Sequence, residues 1–205
     1  MSRFSVILTV YDQARELESQ LPALLTQDYE PGYEVIVVDE SSTDDTEDVL
    51  KLLKQEHPHL YNTFLPKPNR NITRQRLALT IGVKAAKNEW IIFTDVHFSP
   101  DAGWLKEVSE ALDSTTDMML GYMRKKGLRL EAFEDIMQAS RYVRKAERKR
   151  ADGHRGRRLK YLRGKYDFIV VRKEEAHNLL KFFEHKISWW RLLGLRLSVF
   201  FSHLF

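Results

Sequence analysis

Short apolar runs alternate with amphipathic stretches through residues 4–94, and this alternation limits the choice of fold more than any other feature of the chain. Runs of strand length, rich in β-branched or aromatic residues, occupy 4–10, 34–38, 61–65 and 90–94. Between them, Leu, Val, Ile and Ala recur three and four residues apart, as in helices, over 13–26, 43–55 and 73–87. Strand and helix in alternation predict an α/β fold, with a mostly parallel sheet flanked by helices.

Polar clusters follow three of these predicted strands, at residues 9–13, 39–45 and 95–97. Parallel strands end at one edge of a sheet, and the ligands of such sheets bind in the crevice beyond that edge. The sequence therefore predicts a ligand site built from the three clusters.

Beyond residue 100 the pattern is less regular. We expect a helix over 101–112, a strand over 118–123, a long basic helix over 131–150, a mobile loop over 153–164 and a last strand over 168–171. With 205 residues, the chain is long enough for one well-cored domain. We assign that domain to 1–185 and a tail to 186–205.

Charge and cysteine content narrow the possible functions. The chain has no cysteine, which excludes disulfides, thiolate metal sites and cysteine nucleophiles. Its net charge is +4, but residues 138–165 carry twelve Lys and Arg against two acidic residues, a local charge of +10, so the remainder sums to −6. Like charges this close repel unless an anion lies nearby. Aromatic residues are sparse there and no nucleic-acid-binding motif is present, which argues against nucleic acid. Anionic lipid head groups or another phosphate-bearing partner could supply the anion.

The stretch VIVVDESSTDDT, residues 35–46, joins a predicted strand to the start of a helix. Ser42 or Thr43 is suited to cap that helix, and the acidic residues that follow favour the positive end of its dipole. Asp39 has no such explanation, because it comes straight off the buried strand. Its carboxylate could accept hydrogen bonds from a nucleobase or a ribose.

Asp95 and His97 come directly after the apolar run WIIFT. Three interpretations stay open. The pair is a hydrogen-bonded carboxylate beside a turn histidine; or it shares a divalent metal whose other ligands are phosphate oxygens; or His97 is a general base. No nucleophile is identifiable near His97 to support the third.

The ordered succession of these segments resembles a known family. SVILTVYDQARELESQLPALLTQDYEPGYEVIVVDESSTDDT, followed by ALTIGVKAAKNEWIIFTDVHFSPDAGWL, is similar to the nucleotide-sugar-binding half of family 2 glycosyltransferases of the GT-A fold, a Rossmann-like arrangement. The likeness covers roughly residues 3–112. It implies a nucleotide-sugar half at 1–115 and an acceptor-side half at 116–185.

The resemblance implies roles for particular residues. Thr9 and Tyr11 correspond to positions that contact the nucleotide base, and Asp39 corresponds to the acid that reads base or ribose. Arg74 and Arg76 fall in the basic stretch that meets the diphosphate, although a solvated helix start explains them equally well.

The metal motif departs from the family pattern. Asp95 matches the first acid of the family's Asp-x-Asp, and His97 replaces the second, which is the main metal ligand. An imidazole in place of a carboxylate favours Mn²⁺ over Mg²⁺. The resemblance therefore implies a divalent metal held by Asp95 and His97.

A second departure lies downstream. The family places an acidic motif well after the metal motif, and one of its carboxylates deprotonates the acceptor hydroxyl for inverting attack. That motif is not recognisable here. Glu134 and Asp135 are the nearby acid pair after the metal motif, and we take them as candidates for the catalytic base, against the alternative of an amphipathic helix.

The tail predicts a membrane surface as a partner. Residues 187–205 are rich in Trp, Leu and Phe but include two arginines, which favours an interfacial amphipathic helix over a spanning one. A helix packed on the domain or on a partner is the alternative. Since the N-terminus enters a strand-like run at residue 4, with no secretory signal pattern, we expect a cytoplasmic protein, peripheral on the inner face of the membrane through 138–165 and 186–205.

These observations lead to one functional prediction with two alternatives. The chain is expected to be a metal-assisted, inverting glycosyltransferase that moves a sugar from a UDP- or GDP-sugar donor to a lipid-linked or polysaccharide acceptor. The first alternative is a catalytically degraded nucleotide-sugar-binding or scaffold protein at the membrane, which the missing acid motif favours. The second is a basic nucleic-acid-binding module.

Overall fold

A computed structural model describes residues 2–65, 74–124, 127–139, 141–142 and 166–185. The predicted alternation of strands and helices is present in the first half: β1 (Phe4–Val10), α1 (Ala14–Leu25), β2 (Tyr33–Asp39), α2 (Thr46–Glu56), β3 (Leu60–Phe64), α3 (Arg74–Ala85), β4 (Trp90–Phe93) and α4 (Trp104–Glu110). The second half contains β5 (Met118–Arg124), β6 (Gly127–Phe133), β7 (Phe168–Arg172) and α5 (Lys173–His185).

The strands form one seven-stranded sheet in the order β3-β2-β1-β4-β7-β5-β6. Strands β1 to β4 pair in parallel, as the sequence predicts. Strand β7 pairs antiparallel with both β4 and β5, and β6 pairs antiparallel with β5. The fold is therefore a mixed α/β sheet, parallel on one side and antiparallel on the other.

Each face of the sheet has its own apolar core, because side chains alternate between faces along every strand. Ile7, Ile36 and Phe93 pack beneath α3 and α5. Leu8, Val37 and Ile92 pack against α1, α2 and α4 on the other face. The apolar runs of the parallel strands are almost continuous because both faces are covered.

Two glycines allow close packing in these cores. A Cβ at Gly82 of α3 would lie 2.5 Å from a methyl carbon of Ile7, so the glycine lets α3 approach β1. A Cβ at Gly121 of β5 would lie 2.1 Å from the ring of Phe168, which is fully buried. That ring packs edge-on against Trp104, 5.0 Å between centroids, which joins β7 to α4.

One predicted element is wrong in part. Residues 131–150 were expected to form a single helix, but 127–133 form β6, and helical residues begin at 136. Leu128 and Leu130 alternate with polar residues and pack on a core as strand residues do. Leu130, Phe133 and Met137 are also spaced three and four apart, so the same segment fits a helical pattern.

The strands begin and end at two opposite edges of the sheet. The carboxyl edge comprises the ends of β1, β2 and β4 and the start of β7. The amino edge, opposite it, comprises the starts of β1, β2 and β4 and the end of β7. In the described part of the chain, no helix is both long and apolar enough to cross a membrane. The predicted loop at 153–164, the tail at 186–205 and most of 138–165 lie outside the described residues.

Candidate active site

Two loops at the carboxyl edge are tied to each other by hydrogen bonds. The amide of Asp12, after β1, donates to Ser42 Oγ at 3.0 Å, and the amide of Thr43, after β2, donates to Asp12 Oδ1 at 2.6 Å. Asp12 and Ser41 have positive φ angles, 48° and 65°, which Asp tolerates better than most residues. The two loops therefore form one structural unit where β1 and β2 end.

Asp44 extends this unit to the starts of two helices. Its Oδ2 accepts from the amide of Ala14 at 3.0 Å, and its Oδ1 accepts from the hydroxyl and amide of Thr46, at 2.6 and 3.1 Å. Desolvation alone would raise the pKa of Asp44, but these hydrogen bonds outweigh it and lower the pKa below its usual value. Helix α2 begins at Thr46, later than the predicted Ser42 or Thr43 cap implies.

Asp39 lies at the end of β2, as predicted, on the face of the sheet covered by α1 and α2. It is half-buried, and its Oδ1 accepts hydrogen bonds from the amide of Ser42 at 2.8 Å and the hydroxyl of Ser42 at 2.6 Å. These contacts hold the carboxylate in a fixed orientation at the strand end.

Thr9, Tyr11 and Arg74 come together on the other face, beneath the start of α3. The guanidinium of Arg74 stacks on the ring of Tyr11, with 5.2 Å between Cζ and the ring centroid, and donates a hydrogen bond to the carbonyl of Glu40. Arg76 lies in the same first turn of α3 and is half-buried. The structure thus brings the predicted base contacts and the predicted diphosphate contacts to one place.

Glu40 is a member of this group that the sequence interpretation missed. Burial raises the pKa of Glu40, and the nearby charge of Asp39 raises it further, while a hydrogen bond from Thr9 and the charge of Arg74 act in the opposite direction. The position of Glu40 inside the polar cluster after β2 is a sequence signal that points to it. Glu40 was missed because only Asp39 of that cluster was assigned a role.

Asp95 and His97 follow β4 at the same edge. Asp95 is half-buried and its Oδ1 accepts from the amide of His97 at 2.7 Å, whereas the His97 side chain is exposed. Within the residues that the structure describes, no group of three or more His, Asp or Glu side chains is arranged to hold a metal. A carboxylate and an imidazole still fit a divalent ion whose remaining ligands are oxygens of a bound diphosphate.

Glu134 and Asp135 are not brought to this edge. Phe133, the last residue of β6, pairs with Met118 of β5, and Met118 pairs with Val171 of β7. Val171 in turn pairs with Ile91, near the start of β4, so the end of β6 lies level with the start of β4. The amide of Gln138 donates to Asp135 Oδ1 at 2.6 Å and Gln138 Oε1 accepts from the amide of Glu134 at 3.0 Å, a reciprocal helix cap. The pair lies at the amino edge, roughly 17 Å along the strands from the level of Asp95.

A cavity of about 450 Å³ opens at the amino edge, where its lining comprises Glu89, Arg172, Lys173, Glu174 and His177. Charges here are compensated within the fold: Arg172 contacts Glu89 and Asp117 at 2.9 Å each. The Arg172 guanidinium also stacks on Trp90, 4.6 Å from the ring centroid. Since the cationic side chain is already satisfied, this cavity is a weaker candidate for a charged ligand than the carboxyl edge.

Comparisons with known proteins agree on one family. The Glycosyl transferase family 2 model matches residues 5–165. A curated relative from Methanococcus voltae, a dolichyl N-acetyl-alpha-D-glucosaminyl phosphate 3-beta-D-2,3-diacetamido-2,3-dideoxy-beta-D-glucuronosyltransferase, is 28% identical over 107 residues, which are 52% of this chain and 32% of the relative. The uncharacterized glycosyltransferase YibD of Escherichia coli K12 is 22% identical over 94 residues, 46% of this chain and 26% of that protein.

Solved structures share the fold. The mannosyltransferase PcManGT of Pyrobaculum calidifontis, in complex with GDP-Man and Mn²⁺, has a TM-score of 0.57 at 21% identity, covering 87% of this chain and 46% of that one. Residues 1–349 of S. aureus TarS, in complex with UDP-GlcNAc, give 0.50 at 25% identity, covering 60% of this chain and 34% of that one. The chain thus spans between a quarter and a third of the curated relatives it matches and less than half of these solved chains.

Proposed function

Because the chain belongs to glycosyl transferase family 2, we propose that its carboxyl edge binds a nucleotide-sugar donor and that the chain is the donor-binding part of a glycosyltransferase. The observation that carries this proposal is the meeting of Thr9, Tyr11, Arg74 and Asp95, from β1, α3 and the end of β4, at a single edge of the sheet. Their types suit the parts of one ligand. Tyr11 and Thr9 would contact the base, Asp39 the base or ribose, and Arg74 with Arg76 the diphosphate.

A divalent metal, Mn²⁺ in preference to Mg²⁺, would be held by Asp95 and His97. When bound, the ion neutralises charge that develops on the leaving diphosphate. The chain's own part is to fix Asp95, through the hydrogen bond from the His97 amide, while the His97 side chain stays exposed and open to a ligand. The Mn²⁺ named with the Pyrobaculum mannosyltransferase supports this choice.

The acceptor would be lipid-linked or a polysaccharide, reached at the inner face of the cell membrane. A dolichyl phosphate sugar in the name of the Methanococcus relative supports a lipid-linked acceptor. The charge of +10 in residues 138–165 and the Trp, Leu and Phe content of 187–205 support peripheral attachment to anionic lipid. Transfer with inversion at the anomeric carbon is part of the same proposal.

Calorimetric titration with UDP and GDP, with and without Mn²⁺, tests the donor site. Wild-type protein is expected to bind one of the two nucleotides only when Mn²⁺ is present. Asp95→Ala and His97→Ala should each lose at least about 10-fold in affinity, as the loss of a metal ligand, or of a group that orients one, does. Asp48→Ala, an exposed carboxylate on α2, is the matched control and should bind as wild type. Absence of nucleotide binding under all conditions would refute the proposal.

A catalytically degraded binding protein is the second candidate, favoured by the position of Glu134 and Asp135 at the amino edge. It predicts the same nucleotide binding without any release of nucleoside diphosphate from a nucleotide sugar. The two candidates are therefore separated by measuring turnover on the same samples, with UDP-GlcNAc and GDP-mannose as donors.

A further inference from the structure

Strand β7 reaches the carboxyl edge with its first residues, because it runs antiparallel to β4. The two strands pair from Trp90 with Arg172 to Phe93 with Ile169. The ladder ends at Phe93 and Ile169, and the same register continued by two residues would bring Asp95 opposite Asp167. A hydrogen bond from Thr94 Oγ1 to the carbonyl of Asp167, at 3.1 Å, joins the two chain segments there.

Asp167 lies at the carboxyl edge, directly before β7 and beside the end of β5. The residue before it, Tyr166, packs in the core beneath α3 and α5. Asp167 is half-buried, and its Oδ2 accepts from the amide of Met123 at 2.6 Å. Its own amide donates to the carbonyl of Gly121 at 2.8 Å, so both backbone and carboxylate are held in place by β5.

The other acidic residues near the edge are less well placed. Asp39 ends β2, three strands from β7, and its carboxylate is held by two hydrogen bonds from Ser42. Glu40 follows β2, three strand spacings from β7, or about 14 Å across the sheet. Asp167 borders β5 and β7, the acceptor-side half of the chain, while remaining next to the proposed metal ligand Asp95.

We propose that Asp167 is the catalytic base of the glycosyl transfer, an inference that rests on the proposed function. Neighbouring strands lie about 5 Å apart, so a donor whose diphosphate lies against Asp95 would have its anomeric carbon on the side of Asp167 if its sugar extends towards β7. The acceptor hydroxyl oxygen forms a bond to that carbon as its proton passes to the Asp167 carboxylate. The bond from the anomeric carbon to the phosphate oxygen breaks, and its electron pair leaves with the nucleoside diphosphate.

The test compares donor binding with turnover in Asp167→Asn. The asparagine side-chain oxygen still accepts from the Met123 amide, so the edge is preserved while the proton acceptor is lost. Nucleoside diphosphate release from UDP-GlcNAc and GDP-mannose is measured with Mn²⁺, first in water and then with octyl glycosides of glucose, mannose and N-acetylglucosamine as acceptors. Nucleotide dissociation constants are measured by calorimetry on the same samples, with Asp48→Asn as the matched surface control.

We expect Asp167→Asn to lower the rate of release by at least about 100-fold, as loss of a general base does, with nucleotide affinity within about 3-fold of wild type. Asp167→Glu, which restores a carboxylate, should recover part of the rate. If Asp167→Asn turns over within 3-fold of wild type, Asp167 is not the base, although the proposed function stands. Wild-type protein that binds donors but releases no diphosphate overturns the assignment and leaves donor binding intact, whereas failure to bind any nucleotide overturns both.

Discussion

At the amino edge of the sheet the charge of Arg172 is compensated inside the fold, by Glu89 and Asp117 at 2.9 Å each and by the ring of Trp90. At the carboxyl edge, Asp39, Asp95 and Asp167 lie at the ends of three different strands, and Arg74 and Arg76 lie in the first turn of α3. One edge thus forms closed ion pairs, while the other collects carboxylates and arginines at strand ends.

This difference is what we expect if the amino-edge residues stabilise the fold and the carboxyl-edge residues bind a ligand. Compensated charges contribute mainly to the free energy of folding, because their partners are already present in the folded chain. Carboxylates that lie close together at strand ends lower the stability of the folded state. Natural proteins keep such destabilising groups where their function requires them. Substitutions at the two edges should therefore change different measurable quantities.

The largest expected effect on stability is at the amino edge. Arg172→Ala removes both carboxylate contacts and the stacking on Trp90, and should lower the free energy of unfolding by about 2 kcal/mol, a value reduced because Glu89 and Asp117 are partly exposed. Urea unfolding followed by circular dichroism measures it. Nucleotide affinity of the folded variant should equal that of wild type. A weaker affinity would show that the amino edge also affects nucleotide binding.

A smaller loss is expected at the carboxyl edge for Asp44→Asn. The variant weakens the hydrogen bonds to Ala14 and Thr46 and should cost about 1 kcal/mol at neutral pH. Since the folded state lowers the pKa of Asp44, its stabilising contribution is present above the usual value of 3.8 and is lost as the pH falls through the folded pKa. Unfolding measured from pH 7 to pH 3 should show the two curves converging towards acid; parallel curves would contradict the assignment.

The smallest effect should have the opposite sign. Burial raises the pKa of Glu40, so the folded state disfavours its charged form, and stability is lost as the pH rises from the usual value of 4.5 through the folded pKa. Glu40→Gln removes this dependence and should stabilise the protein by about 0.5 kcal/mol at pH 7. Thermal unfolding at pH 4 and pH 7 checks it, and a variant destabilised at pH 7 would mean that the charge of Glu40 supports the fold.

The parallel half of the sheet was predictable from the sequence because its geometry is regular. Each of β1, β2 and β4 ends at the same edge, so the polar cluster that follows each strand must reach that edge. This is why strand ends alone predicted the polar clusters at 9–13, 39–45 and 95–97, whereas the roles of Thr9 and Tyr11 came from the family resemblance. Predicted and observed bounds of these strands differ by no more than one residue at either end.

The antiparallel half was not predictable in the same way, because strand direction decides which edge a residue reaches. Glu134 and Asp135 follow a strand, β6, that ends at the amino edge, whereas Asp167 precedes a strand, β7, that begins at the carboxyl edge. Sequence patterns give strand positions but not their direction within a mixed sheet. The helical spacing of Leu130, Phe133 and Met137 also concealed β6 itself.

Hydrogen exchange of the full chain, followed by mass spectrometry with and without UDP-GlcNAc or GDP-mannose and Mn²⁺, tests most directly which edge binds the donor. A donor site at the carboxyl edge predicts slower exchange of amides in 9–13, 39–46 and 94–98 with one of the donors. It also predicts unchanged exchange in 86–90 and 172–177, beside the amino-edge cavity. Protection confined to 86–90 and 172–177, or no protection of the carboxyl-edge loops at saturating donor, would contradict it.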